Sequence, residues 1–396
     1  MIIFFSMSSS PKLYSSGYLV LNASNFFYSL YAVTFIFIPA YLYQLGMREG
    51  EIGLLMATGT LVAASLKPLN ASIVGRGQRK RFLILGALLA ALSTFPWIFI
   101  SAPGPFLYLL RMLQGASFSL FSMASLSYIA ASAPSQRRAE AFGIFGLNFF
   151  LPASVGGLIG EWVIMRADYQ GLFLGGICMV LVAAFLPIFM REPAVREEQA
   201  TLHSLSVFLT KPFLAPNTAG LLFGITHGTI FSFLPVYLFS TGKTSLGIFV
   251  FVHAMSVIIT RLAGRRIIDR HPKEKTALAA LFLLCVGTLL IPLAETNFML
   301  SVGGAAVGTG YGLLFPAMSA LVLDRSGNRS GGMAIAMFSS AFDVGTVAGA
   351  AVFGFVAQGF GFPTMFFVAS AILGAGTFGF FLMDPSFRKG ARPSPG

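Results

Sequence analysis

The sequence carries little charge for its length. Asp, Glu, Lys and Arg make up 10% of the 396 residues, whereas a soluble domain typically carries about 25%. Hydrophobic residues account for 56%, so polar residues are too few to cover a water-exposed surface, and an ordinary soluble fold is excluded. The net charge is +12. Because the basic residues punctuate apolar runs and form no polar face, we expect no nucleic-acid partner.

Cysteine and histidine are also scarce. The two cysteines, Cys178 and Cys285, each lie within an apolar run, which excludes a disulfide framework and a cysteine-based metal site. The four histidines form no cluster, no Ser-His-Asp arrangement stands out, and no Gly-x-x-x-x-Gly-Lys-Ser/Thr nucleotide loop occurs. We therefore expect no metal, no cofactor and no enzymatic activity. Nucleotide hydrolysis is therefore not indicated as a source of energy.

Long apolar runs dominate what is present. Runs such as 82–100 and 366–383 can each cross about 30 Å of hydrocarbon as a helix. Charges, prolines and glycines divide the chain into spans near 17–44, 51–74, 82–100, 105–132, 139–164, 168–190, 213–240, 244–268, 276–294, 297–323, 331–358 and 361–383. The sequence therefore predicts an all-α membrane protein with twelve transmembrane helices.

Lys and Arg are distributed unevenly between the two sides of these spans. Twenty of the 26 fall in loops that share a side with both termini, whereas Arg48, Arg166 and Lys243 fall on the other side. Cytoplasmic loops hold an excess of basic residues. Both termini are therefore predicted to be cytoplasmic, in a multi-pass protein of the cell (inner or plasma) membrane. Translation from either Met1 or Met7 fits this arrangement.

The longest hydrophilic interruption falls near the middle of the chain. It covers residues 191–212 and mixes charges with Thr, Ser and His. We expect a cytoplasmic linker here, joining an N-terminal six-helix bundle (1–190) to a C-terminal six-helix bundle (213–396).

The two predicted bundles repeat one another. Residues 37–42 (FIPAYL) reappear as 233–238 (FLPVYL) at an offset of 196, and 67–76 (KPLNASIVGR) align with 261–270 (RLAGRRIIDR) at an offset of 194. Nearly constant offsets indicate duplicated, pseudo-symmetric units with parallel topology. Such an arrangement is associated with alternating-access transporters.

At these motifs the chain resembles the major facilitator superfamily, and most of all its prokaryotic efflux permeases. Span four contains Arg111-Met112-Leu113-Gln114-Gly115, which looks like the Arg-x-x-Gln-Gly signature of proton-coupled members. The family's loop signature, Gly-x-x-x-Asp-Arg-x-Gly-Arg-Lys, is recognisable after span eight, while Gly75 stands at the Asp position after span two. The resemblance implies two six-helix bundles around a central cavity. It also implies conformational gating at Arg76, Arg261, Gly264, Asp269 and Arg270.

Ionisable side chains inside the spans are functional candidates, because burying them in a membrane is expensive. Asp343 lies mid-span on a helical stripe with hydroxyl side chains, which suits a wet cavity. The proton-coupling candidates are Asp343, Arg111, His227 and Glu161. Arg111 is suited either to binding an anionic group or to setting the protonation state of a carboxylate. The structural alternatives are an Asp tied to a neighbouring helix, an Arg that caps a broken helix, a hydrogen-bonded His, and a Glu that reaches interfacial water.

Uncharged polar side chains and one further histidine indicate the wall of the cavity. Asn22 and Asn25 share one face of span one, which must point into protein or water because lipid offers no hydrogen-bond partners. The cavity candidates are Asn22, Asn25, Gln114, Asn148, His253 and Tyr311. Adhesion between helices is the alternative role for these residues.

Together these features predict a secondary active transporter that moves a small organic solute by alternating access, with proton-coupled efflux as the leading mode. Its expected partners are the solute, protons and membrane lipids, and we expect it to act as a monomer. Two alternatives stay open. One is uptake or facilitated diffusion of a sugar or metabolite, and the other is a non-transporting membrane receptor or scaffold.

Overall fold

The computed structural model describes residues 14–75, 77–134, 137–193, 211–242, 244–326 and 331–387. Nearly all of them are helical, and no strand occurs within these ranges. The α-helices are α1 Ser16–Ala32, α2 Thr34–Gln44, α3 Glu49–Gly75, α4 Arg79–Thr94, α5 Phe106–Ser132, α6 Arg138–Phe185, α7 Lys211–Thr241, α8 Leu246–Arg270, α9 Lys273–Leu290, α10 Asn297–Ser326, α11 Gly331–Phe360 and α12 Phe362–Met383.

In two places a predicted span does not correspond to a single helix. Val33, between α1 and α2, keeps helical dihedrals of φ −60° and ψ −29°, so these two helices form one span. Pro39 lies just beyond this junction and has no N–H for the helical ladder. In α6, Ala167 (φ −140°, ψ 19°) and Asp168 (φ 53°, ψ −171°) leave the helical conformation. This turn divides α6 into the predicted fifth and sixth spans.

Helix lengths and composition match a membrane protein. Within the described part of the chain, nine helical stretches are long and apolar enough to cross a bilayer. One of them, Glu140–Phe189, has 50 residues, which is about 75 Å of helix and enough for two crossings. With α5 and α9, the path is consistent with the twelve predicted spans. The predicted all-α membrane fold is confirmed.

The outer surface of the molecule is apolar. Phe298, Met165 and Phe360 are among many large apolar side chains that are exposed there. A soluble protein rarely exposes a continuous apolar surface, whereas lipid solvates one well. The chain is a multi-pass membrane protein.

The helices pack in two groups. In the N-half, α1 to α6, the main contacts are α3 on α5, α1 on α6 and α4 on α5. In the C-half, α7 to α12, they are α7 on α11, α9 on α10 and α8 on α10. The most extensive contacts between the halves are α3 on α11 and α6 on α8, which we call the two seams.

Both ends of the described chain lie at one end of the bundle, here called the terminal face, and the other end is the opposite face. At the terminal face, Glu192 accepts hydrogen bonds from the backbone N–H groups of Arg79 (2.8 Å) and Lys80 (3.0 Å). In the C-half, Asp384 pairs with Arg325 at 2.6 Å. In each half, therefore, a carboxylate just after the last span fastens that span to a neighbouring helix.

Candidate functional site

A cavity of about 500 Å³ lies between the two halves. Eight phenylalanines contribute to its wall, which also includes charged and polar side chains from both halves. The aromatic members are Phe35, Phe118, Phe149, Phe150, Phe223, Phe231, Phe315 and Phe342. The polar members include Lys67, Arg111, Gln114, His227, His253, Arg261, Tyr311 and Asp343. A mainly apolar chamber with a few converging polar groups is the usual form of a small-molecule site.

Toward the opposite face, the first seam is packed so closely that it requires glycine. A Cβ atom on Gly53 of α3 would lie 2.3 Å from the backbone oxygen of Ala350 in α11, and one on Gly354 would lie 2.7 Å from the backbone oxygen of Glu49. The backbone N–H of Gly50 also donates to Gln358 Oε1 at 3.2 Å.

The second seam is equally close at this end. A Cβ atom on Gly157 of α6 would lie 2.8 Å from Val250 Cβ in α8. Glu161 accepts hydrogen bonds from the Ser245 hydroxyl and from the Gly247 backbone N–H, at 3.1 Å for the latter. Both seams are therefore sealed on the opposite-face side of the cavity.

One ion pair joins the halves within the cavity wall. Lys67 Nζ of α3 donates to Asp343 Oδ2 of α11 at 2.6 Å. The lysine side chain is 31% exposed and the aspartate side chain 13% exposed, so the pair borders the cavity without being fully desolvated. Asp343 was predicted as a candidate, whereas Lys67 was not placed in the site. The internal repeat could have indicated Lys67 as a site residue, because Lys67 aligns with Arg261, which lies within a span.

Arg111 is buried beside the cavity. Its Nη1 donates to Gln114 Oε1 at 3.0 Å, and its guanidinium carbon lies 5.3 Å from the centre of the Phe35 ring. Gly59 makes room for it, since a Cβ atom there would lie 2.9 Å from Arg111 Nη2. The Arg-x-x-Gln-Gly motif therefore supplies a guanidinium, the amide that orients it, and a glycine at which α3 and α5 come into close contact. Gly115 supplies that contact, as its Cβ would lie 2.1 Å from the Gly59 backbone oxygen.

Arg261 crosses from one half to the other. It belongs to α8, and its Nη1 donates to the Gly146 backbone oxygen of α6 at 3.5 Å. Its guanidinium carbon lies 4.8 Å from the centre of the Phe150 ring. Arg261 was predicted as a gating residue, and the structure places it in the cavity wall at the α6–α8 seam.

His227, His253 and Tyr311 form one aromatic cluster in the C-half wall. The Tyr311 hydroxyl lies 3.2 Å from His227 Nδ1, and the Tyr311 ring meets the His253 ring edge to face at 5.0 Å between centroids. His253 is 3% exposed, and its Nδ1 has no hydrogen-bond partner in the described structure. Although the three were predicted on separate spans, the fold brings them together.

The remaining candidates lie away from this wall. Asn148 donates to Asn22 Oδ1, which links α6 to α1. Asn25 accepts from the Ser125 hydroxyl at 3.0 Å and donates to the Leu21 backbone oxygen at 2.9 Å. All three act as helix-to-helix or intrahelical hydrogen-bonding groups here, the alternative that the sequence left open.

The structure describes only part of the predicted gating loops. Arg76 lies outside the described residues, as does most of the linker 191–212. Gly264, Asp269 and Arg270 fall within α8, but their contacts lie outside the described set.

Known proteins share this architecture. A family model described as Major Facilitator Superfamily matches residues 20–275 and 221–396. The staphylopine export protein of Staphylococcus aureus is 24% identical over 393 residues, covering 93% of this chain and 94% of that protein. A protein named "Probable sugar efflux transporter" from Helicobacter acinonychis is 23% identical, with coverage of 82% and 84%.

Solved structures agree on the fold. A point mutant of the nucleoside transporter NupG superposes with a TM-score of 0.79 at 15% identity, over 92% of this chain and 99% of that one. A bacterial homologue of the human lysosomal transporter Spinster, in an inward-facing and occupied conformation, gives a TM-score of 0.75 at 14% identity, with coverage of 96% and 98%. The family match, the paired helical halves and the central cavity lead to one assignment: this chain belongs to the Major Facilitator Superfamily, a family of membrane transporters and not of enzymes.

Proposed function

We propose that this protein is a proton-driven exporter of a small organic solute, working as a monomer in the cell membrane by alternating access. The observation that carries the proposal is the Lys67–Asp343 ion pair, because it joins the two halves across the cavity at 2.6 Å. A carboxylate that can gain a proton is then part of the contact that alternating access must break.

The coupling step follows from the charges of the pair. With Asp343 ionised, its attraction to Lys67 favours the state seen here, in which the seams are sealed on the opposite-face side. Protonation of Asp343 removes one charge of the pair and most of its electrostatic attraction. In export, the solute is carried to the opposite face while Asp343 is ionised, and separation of the pair there lets Asp343 take up a proton from that side. The protonated carrier, no longer held apart by an unpaired charge, returns to the terminal-face-open state, where Lys67 approaches Asp343 again and the proton is released to the cytoplasm. One proton is then carried inward on Asp343 for each solute exported.

The proposed orientation of the protein in the membrane depends on which loops carry the basic residues. Lys and Arg concentrate at the terminal face, and the positive-inside rule assigns that face to the cytoplasm. The two bundles, 1–190 and 213–396, then rock about the cavity, with the linker 191–212 on the cytoplasmic side. In this orientation, the sealing of both seams on the opposite-face side corresponds to a cytoplasm-facing state, from which the solute would be taken up. Export is supported by two of the relatives, which are named as an export protein and a probable sugar efflux transporter.

Proteoliposomes that contain a trapped pH indicator test the proposal. A panel of organic acids, sugars and nucleosides is added under an imposed pH gradient, and solute-dependent proton flux is recorded. We expect at least one solute to move protons in the opposite direction to itself, and Asp343→Asn to abolish that exchange. Asp324→Asn is the matched control, since Asp324 pairs with Lys273 at the terminal face and is 59% exposed. Exchange that stays proton-driven in Asp343→Asn would remove the proposal, and proton and solute moving in the same direction would favour uptake.

A further inference from the structure

The cavity wall carries more positive than negative charge among the described residues. Lys67, Arg111, Arg261 and Asp343 are its charged members among the described residues. Lys67 neutralises Asp343 at 2.6 Å, and no acidic side chain of the described residues lies within 4.0 Å of either arginine. Within the described chain, the wall therefore carries two guanidinium charges without a counter-ion.

Both guanidiniums also have unused hydrogen-bonding capacity. The Nε atoms of Arg111 and Arg261 are buried and have no hydrogen-bond partner in the described structure. Each guanidinium offers five N–H donors. Each has one hydrogen bond to a protein oxygen, to Gln114 for Arg111 and to Gly146 for Arg261. Buried charges in proteins are normally paired and hydrogen-bonded, so these two groups are poised for an acceptor that the described residues do not supply.

The two arginines come from opposite halves and from different depths. Arg111 lies five residues from the opposite-face end of α5, about 8 Å along the helix, whereas Arg261 lies nine residues from the terminal-face end of α8, about 14 Å along it. A solute that enters from the terminal face meets Arg261 first and Arg111 near the sealed end. Each guanidinium also lies against a phenylalanine ring, Phe35 or Phe150, so an acid group bound there has apolar surface beside it.

We infer that the solute is an amphipathic organic anion, whose carboxylate or similar acid group is bound by Arg261 on entry and by Arg111 near the sealed end, with an apolar or aromatic body against the phenylalanine wall. This inference deepens the proposed function and rests on it. Arginine suits the role because its planar fork matches the geometry of a carboxylate or phosphate. A chamber of about 500 Å³ accommodates a body of drug-like size.

Equilibrium binding to the purified full-length protein tests the inference without requiring transport. The probes are matched triplets that share one body, such as 1-naphthaleneacetate, 1-naphthaleneethanol and 1-naphthaleneethylamine, with phenyl and alkyl sets of the same design. We expect the anion to bind at least about tenfold more tightly than the alcohol, as a charge-assisted hydrogen bond predicts. The amine should bind most weakly.

Substitutions then assign the preference to the two arginines. Arg111→Gln should weaken anion binding about tenfold or more, Arg261→Gln should weaken it by a smaller factor, and both should weaken alcohol binding much less, because a hydroxyl carries no charge. Arg111→Lys and Arg261→Lys keep the charge and should keep most of the preference, so they decide the matter if a glutamine variant does not fold. Asp343→Asn removes the one acid that the described residues place in the wall and should tighten anion binding. Arg166→Gln is the control, since Arg166 is exposed and lies over Trp162.

Equal binding of anion and alcohol, tighter binding of the amine, or an anion preference that survives both Arg→Gln substitutions would overturn the inference. Failure of the proposed function looks different. In that case the anion preference and its dependence on both arginines persist in equilibrium binding, while proteoliposomes show no proton-coupled exchange.

Discussion

Replacing Gly53 by alanine tests the packing that seals the opposite face. The added Cβ would lie 2.3 Å from the Ala350 backbone oxygen, where ordinary contact begins at 3.4 Å, so α3 and α11 must separate by about 1 Å to admit it. Overpacking of this kind costs about 1–3 kcal/mol. Because the strain exists only while the seam is closed, it should lower the population of the sealed state about 5–150-fold relative to the state open on that side.

Access to the cavity measures this population directly. Thr60 lines the cavity, and a Thr60→Cys reporter can be introduced after Cys178 and Cys285 are replaced by alanine. A membrane-impermeant thiol reagent is then added to one face of oriented proteoliposomes at a time. We expect the parent protein to react from the terminal face, and Gly53→Ala to gain reactivity from the opposite face.

Two further alanine variants make the result interpretable. Gly175→Ala adds the same methyl group where nothing lies within 4 Å, so access should not change. In Gly115→Ala the Cβ would lie 2.1 Å from the Gly59 backbone oxygen in the same half, so stability should fall without a bias in access. The reasoning is refuted if Gly53→Ala reacts like the parent protein, or if Gly175→Ala produces the same shift.

Two other predictions concern stability and the histidine cluster. Asp384 is fully buried and pairs with Arg325 at 2.6 Å, and Arg325 also lies 3.7 Å from Glu274. Because Arg325 keeps Glu274 as a partner, Asp384→Asn should destabilise the protein by about 1–3 kcal/mol. A thermal melt in detergent measures this, and a loss no larger than that of Asp324→Asn, at about 0–1 kcal/mol, would contradict it. Tyr311→Phe removes the 3.2 Å contact with His227 and should cost about 1 kcal/mol in the same melt, and an unchanged melting temperature would show that the contact contributes nothing to the fold.

Much of the fold could be predicted from the sequence, because the physics of a membrane span is local. A run of about 20 apolar residues must form its hydrogen bonds within itself, so the spans follow from composition. The turn at Asp168 was also predicted, since charged residues interrupt the apolar run there. The division between α1 and α2 at Val33 was not predicted, because the helical dihedrals continue through it and one span results either way.

The cavity was harder to predict because it depends on which helices meet. Asp343 and Arg111 could be singled out by the cost of burying charge. Lys67 lies 276 residues from Asp343 in sequence, and nothing local shows that α3 and α11 share a seam. Asn22 and Asn148 were predicted to line the cavity but lie away from it. A polar helical face whose hydrogen bonds are made to a neighbouring helix looks the same in sequence as one that faces a cavity. The repeat could have helped, by aligning Lys67 with Arg261.

The pH dependence of cavity access tests the central claim most directly, because it needs no knowledge of the solute. Reactivity of the Thr60→Cys reporter is measured from each face as the pH is lowered, in the parent protein and in Asp343→Asn. Protonation of Asp343 should shift reactivity from the terminal face to the opposite face, and Asp343→Asn should show the low-pH pattern at every pH. If Asp343→Asn keeps the pH dependence of the parent protein, the Lys67–Asp343 pair is not the coupling element.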